Sequence, residues 1–142
     1  MPTLPTQAGV AGVIPQRTGD DAGVVADSFG ATTVPTADQV TGIIAELGAE
    51  VDAAVGAVPA ALDAMWRWVV TLGSAAQVET SFYPDVGSGD ALWARYAATL
   101  ALLRQAVATA NGAGTTGQEV LPVFGYPALD GINPITTLLT RF

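Results

Sequence analysis

Pro35-Thr36-Ala37-Asp38-Gln39 opens the stretch that decides the fold, PTADQVTGIIAELGAEVDAAVG over residues 35–56. Thr36 is placed to cap the free amide three residues on while Gln39 reaches back, the reciprocal pair of a capping box. Beyond it Val40, Ile43, Ile44, Leu47, Val51 and Val55 recur at spacings of three and four, and Asp38, Glu46, Glu50 and Asp52 occupy other positions. That is the period of an amphipathic helix. Gly56 closes it. At about 1.5 Å per residue such a helix is roughly 30 Å long, enough to cross a small domain.

The residues on either side repeat the pattern. Pro59 suits the first turn of a second helix, whose apolar line is Leu62, Met65, Trp66, Val69, Leu72, Gly73 and Ala76. Gly73, Ala75 and Ala76 are small enough for a neighbour to approach closely, which places this helix at the centre of the bundle. It is expected to end near Ser81, because Pro84 disfavours helical geometry at Tyr83. Ser88 and Asp90 start a third helix, with Leu92, Tyr96, Leu100, Leu103 and Val107 facing inward, and it fades at Asn111-Gly112. Upstream, Thr6 caps a short helix with Val10, Val13 and Ile14 on one face until Pro15 stops it. Residues 19–33 read as a loop with a short strand around Val24 to Phe29.

The fold class is therefore mostly α: a three-helix bundle-like domain with a short N-terminal helix, over residues 1–111, with long helices at about 36–56, 59–81 and 88–110. Residues 112–142 form an extended C-terminal arm, in which apolar residues lie between Pro122, Pro127 and Pro134 without a helix or strand period. Such a segment must lie on something, its own bundle or another subunit.

Composition narrows function by exclusion. Half the residues are hydrophobic and only 13% are charged, a thin polar coat for a lone globule, so part of the apolar surface is expected to meet a partner. The formal charge is −8, and the five cations are Arg17, Arg67, Arg95, Arg104 and Arg141, far apart in sequence. A grip on DNA needs clustered cations to displace counterions from phosphate. Cysteine and histidine are absent, so no disulfide, thiolate nucleophile, imidazole base or usual zinc site is expected. Asp20-Asp21 reads as a solvated turn, Ser74 and Ser81 lack an activating base, and Gly87-Ser88-Gly89 is a turn with a helix cap. The expectation is no enzyme, no cofactor, no metal and no catalytic residue. No cationic leader precedes the first apolar residues, and Pro59, Asp63 and Arg67 interrupt the longest apolar stretch, so synthesis in the cytoplasm and no membrane span are expected.

Two features point to a partner. At helical spacing Trp66 and Trp68 lie about 200° apart, so Trp66 turns inward and Trp68 outward. An outward tryptophan is a natural interface anchor, or else it packs under a loop or under the C-terminal arm. The arm supplies Phe124, Tyr126, Leu138, Leu139 and Phe142, and with Trp68 these are the candidate interface residues.

Three pieces then fall in order: Phe29-Gly30-Ala31-Thr32-Thr33-Val34-Pro35-Thr36, the Gln39-Val40 helix, and an Ala-rich helix running into Glu79-Thr80-Ser81-Phe82-Tyr83-Pro84. Together, over roughly Val10 to Val107, they resemble the head-to-tail connector (adaptor) proteins of tailed bacteriophages that infect actinobacteria. Val34 stands where that family usually has arginine, Gly30 and Ala31 replace more usual polar residues, and Asp85 replaces a common glutamate. The resemblance implies a structural virion protein of the head-tail neck: an oligomeric ring, of twelve copies in that family, beneath the portal protein. It implies that the ring extends a channel through which double-stranded DNA passes without specific binding, and that it meets a head-closure (stopper) or tail-terminator protein. It also implies that the arm reaches toward the portal. The alternatives are another neck or tail ring subunit, head-closure or tail-terminator, richer in β-structure, and an acidic inhibitor that mimics nucleic acid.

Overall fold

A computed structural model describes residues 2–19 and 28–112. The arm residues Phe124, Tyr126, Leu138, Leu139 and Phe142, and most of the expected strand around Val24 to Phe29, lie outside the described residues. The chain divides into two compact units, Met1–Val107 and Ala108–Phe142. The first holds the core. Of the second, the described part is the last turn of a helix and the Asn111-Gly112 turn, with Gly112 at φ 87°.

The described residues are mostly helical, with four α-helices and no strand. They are α1 (Gln7–Val13), α2 (Ala37–Val55), α3 (Asp63–Phe82) and α4 (Ser88–Ala110). Short 3-10 turns occupy Pro15–Arg17, Ala60–Leu62 and Pro84–Val86.

The capping box at the head of α2 is formed as its residues dictate. Thr36 Oγ1 accepts from the Gln39 amide at 3.4 Å, and Gln39 Oε1 accepts from the Thr36 amide at 2.9 Å. The helix buries Val40, Ile44, Leu47, Gly48 and Val51. It ends at Gly56, whose φ of 74° lies in the left-handed region that glycine adopts without strain. The expected start of the second helix at Pro59 is corrected by a few residues. Pro59 itself is extended, Ala60–Leu62 form a tight 3-10 turn, and α3 proper begins at Asp63. Overwinding of this kind is common at helix ends.

α3 is the central element, as its small residues predict. Every residue from Val69 to Glu79 is buried except the half-buried Gln77. A β-carbon on Gly73 would lie 2.8 Å from Leu47 Cδ1 and 2.9 Å from Tyr96 Cε2, so α2, α3 and α4 meet over this hydrogen-only side. α1 buries Val10 and Ala11 and packs on α3. Its Gln7 Nε2 donates to the Ala37 carbonyl at 3.0 Å and to Thr41 Oγ1 at 2.7 Å, which ties α1 to the first turn of α2.

Two glycine substitutions are expected to diverge. Gly42→Ala places a methyl in open space on an exposed helix interior and is expected to stabilise by up to about 1 kcal/mol through helix propensity. Gly73→Ala forces a methyl between Leu47 and the Tyr96 ring and is expected to destabilise by about 1–3 kcal/mol. Paired denaturant melts of the two variants check the difference.

Candidate functional site

The corner between α3 and α4 gathers polar side chains that lie far apart in sequence. Glu79 sits one turn from the end of α3, in phase with the buried Leu72 and Ala76, and its side chain has no exposure to solvent. A bare carboxylate there carries a desolvation cost of several kcal/mol. The chain answers with four donors. Arg17 Nε reaches Oε1 at 2.8 Å and Arg17 Nη2 reaches Oε2 at 2.9 Å, the bidentate fork that guanidinium forms and ammonium does not. Gln16 Nε2 donates to Oε1 at 3.3 Å, and the Ser88 hydroxyl donates to Oε2. The bonds from Arg17, with smaller help from Ser88 and Gln16, hold the Glu79 carboxyl below its ordinary range against the opposing effect of burial.

The same guanidinium lies 3.7 Å above the Tyr83 ring, a cation–π contact. Tyr83 in turn donates its hydroxyl to the Val34 carbonyl. Val34 precedes a cis proline in a turn held by Thr33, whose hydroxyl donates to the Pro35 carbonyl at 2.7 Å and accepts from the Gly30 amide at 2.9 Å. On the other side of the corner, Trp93 Nε1 donates to Thr80 Oγ1 at 2.8 Å. Trp93 and Tyr96 pack edge to face with centroids 5.3 Å apart. Gly89 allows the close approach, since a β-carbon there would lie 2.7 Å from Thr80 Oγ1.

This arrangement is a lock. A carboxylate has about four lone-pair positions, and Glu79 has four donors, so none remains to take a proton from a substrate. Ser88, read in the sequence as a helix cap, is instead the first residue of α4 and turns its hydroxyl to Glu79. The cavity beside the corner, lined by Glu79, Thr80, Tyr83 and Gly89, holds about 90 Å³, below the size of an ordinary ligand site. A larger open cleft of about 310 Å³ lies between Pro2, Val58, Pro59 and Asp63. Asp63 is engaged there by the Thr3 amide at 2.8 Å and by Arg67. Those contacts, the Thr3 amide first, lower its pKa. Among the described residues no group of acids is arranged to hold a metal ion, and no helix is long and apolar enough to cross a membrane.

Of the sequence-derived interface residues, Trp68 is among the described residues. Trp68 is 42% exposed and Trp66 is 1% exposed, the opposition that helical spacing requires. Trp68→Ala is expected to cost the fold about 1 kcal/mol, since roughly half of the side chain stays in water either way. A thermal melt checks this.

The Glu79 lock was not read as such in the sequence, although helix phase signals it: a carboxylate in step with Leu72 and Ala76 must be buried and must find a cation. Compared with family models, with curated proteins and with solved structures, the chain matches none.

Proposed function

We propose that the chain is a structural subunit of a phage neck, assembling into a ring that joins the portal of the head to the tail and extends the DNA channel. The observation that carries the reading is the hydrogen bond from Tyr83 to the Val34 carbonyl, which spans 49 positions. It joins the first and the last of the three segments on which the resemblance to connector adaptors rests, so these two short likenesses become one three-dimensional unit, braced by Arg17 and Glu79. The departures from the family pattern fall where they leave that unit intact. Val34 contributes its carbonyl while its side chain is 58% exposed, and Ala31 and Asp85 are also exposed. The helical content of the described residues favours an adaptor over the β-rich neck and tail rings.

Under this reading the partners are copies of the chain, the portal protein, and a stopper or tail-terminator protein, with acidic surfaces that let DNA slide past. The test is the mass of the purified chain by light scattering, alone and mixed with the portal protein of the same genome. A ring or a stable portal complex is expected; a monomer that ignores the portal refutes the proposal. Truncation after Asn111 is expected to leave a cooperatively melting helical unit that no longer docks on the portal. Loss of the melt itself assigns residues 112–142 to the core instead.

A further inference from the structure

Arg17 is committed to Glu79 and Arg67 to Asp63. Arg95 and Arg104 are the described arginines in no salt bridge, and both are exposed on α4. Nine positions apart at about 100° each, they stand on opposite borders of the outer face of α4, roughly 13 Å apart along its axis. Between them Ala98 and Ala101 are exposed, and Leu102 projects with 57% of its surface in water.

α2 presents the counterpart. It carries Asp38, Glu46, Glu50 and Asp52 and no cation. Glu50 accepts from the Tyr96 hydroxyl at 3.2 Å, whereas Asp38 and Glu46 are exposed on the outer side. Asp38 and Glu46 are eight positions and therefore about 12 Å apart along the axis and about 80° apart around it, close to the axial spacing of the two arginines, which reach in from the two borders of their face. Between and beside them lie exposed Gly42, Ala45 and Ala49, a shallow strip of small residues.

The geometry points to a docking of the outer face of α4 of one copy on the outer face of α2 of the next. Leu102 sits over the Gly42, Ala45 and Ala49 strip, and Arg95 and Arg104 meet Asp38 and Glu46. Arg104 is also within electrostatic reach of the Tyr96 hydroxyl of its own copy, but among the described residues no salt bridge joins the two faces within one copy, so they are left to satisfy each other between copies. Each docking leaves a free α2 face and a free α4 face, which is the heterologous contact that propagates into a ring. The inference rests on the ring reading and names the surfaces that build it.

The test is light scattering on the full chain at tens of micromolar, with circular dichroism to confirm that each variant is helical. Wild type is expected to assemble, with the mass falling as salt rises. The Arg95→Glu/Arg104→Glu variant is expected to fall to the monomer mass. Adding Asp38→Arg and Glu46→Arg to the same chain restores the complementarity and is expected to recover the assembly. Assembly that survives the first reversal, or a fourfold variant that stays monomeric, overturns the α2–α4 pairing while the ring reading stands. A wild-type chain that is monomeric alone overturns the α2–α4 pairing as a contact that forms by itself; the ring reading falls with it only when the chain also ignores the portal.

Discussion

Arg17→Met is expected to cost about 3–5 kcal/mol, the usual loss when one partner of a buried ion pair is removed and the other stays behind. For a helical unit of this size that is a fall in melting temperature of about 12–20 °C. The loss is not symmetric. The Glu79 side chain has no surface in water, whereas the Arg17 side chain keeps 16% of its surface exposed. Glu79→Gln is therefore expected to cost less: the amide carbonyl still accepts from Ser88, and the freed guanidinium can turn toward solvent. Arg17→Lys keeps the charge but loses the fork and the planar contact with Tyr83, and falls between wild type and Arg17→Met. The double variant Arg17→Met/Glu79→Met removes both charges and is expected to be more stable than Arg17→Met alone, which a double-mutant cycle measures directly.

The pair also sets the response to acid. The Glu79 pKa is held below the ordinary value of 4.5, so its contribution is present in full above that value and is lost as pH falls through the lower, folded-state value. In Arg17→Met the sign reverses: a buried carboxyl without its cation gains by taking up a proton. The stability gap between wild type and Arg17→Met is expected to be widest near neutral pH and to narrow as pH falls, first above pH 4.5 as the raised carboxyl of the variant takes up its proton and then below it as Glu79 of wild type is protonated. Urea melts at a series of pH values check this. A gap independent of pH refutes the ion-pair account and leaves packing of the arginine stem as the cause.

Helix periods and caps were legible in the sequence because they are local. The capping box at Thr36 and Gln39, the Gly56 stop, the exposure of Trp68 and the central place of α3 all follow from residues within a turn or two of one another. Glu79 was harder because its meaning depends on Arg17, 62 positions away, brought back by the turn at Pro15–Arg17. The Tyr83 bond to Val34 is of the same kind: Pro84 marks the end of the helix at Tyr83, but the sequence does not say what the hydroxyl meets. The start of α3 moved from Pro59 to Asp63 because a proline permits a helical turn without requiring one. Charges on exposed helix faces were legible as scattered residues. Which of them remain unpaired, and so are available to a second copy, depends on which arginines the fold consumes.

Trp66→Ala is expected to cost about 3–5 kcal/mol, as large aromatic truncations in a closed core do. The ring is 1% exposed, and its six-membered edge lies over Gly48, with Cη2 3.6 Å from where a β-carbon would stand on that glycine. The first turn of α2 is tied to α1 by Gln7, which opposes collapse of the helix into the space left behind. Trp66→Phe is a different case. The indole Nε1 is buried without a hydrogen-bond acceptor, and an unmet donor of that kind costs about 1–3 kcal/mol. Phenylalanine gives up some contact area but removes that cost, so the two effects largely cancel and a net loss of under about 1.5 kcal/mol is expected. Denaturant melts of the two variants order them; a Trp66→Phe loss as large as that of Trp66→Ala means that Nε1 does have a partner. Since Trp66 lies in the core, away from the outer faces of α2 and α4, Trp66→Phe is also expected to assemble as wild type does. Arg95→Glu/Arg104→Glu is expected to do the opposite, melting as wild type does while failing to assemble, so the two variants together separate what holds the subunit from what joins one subunit to the next.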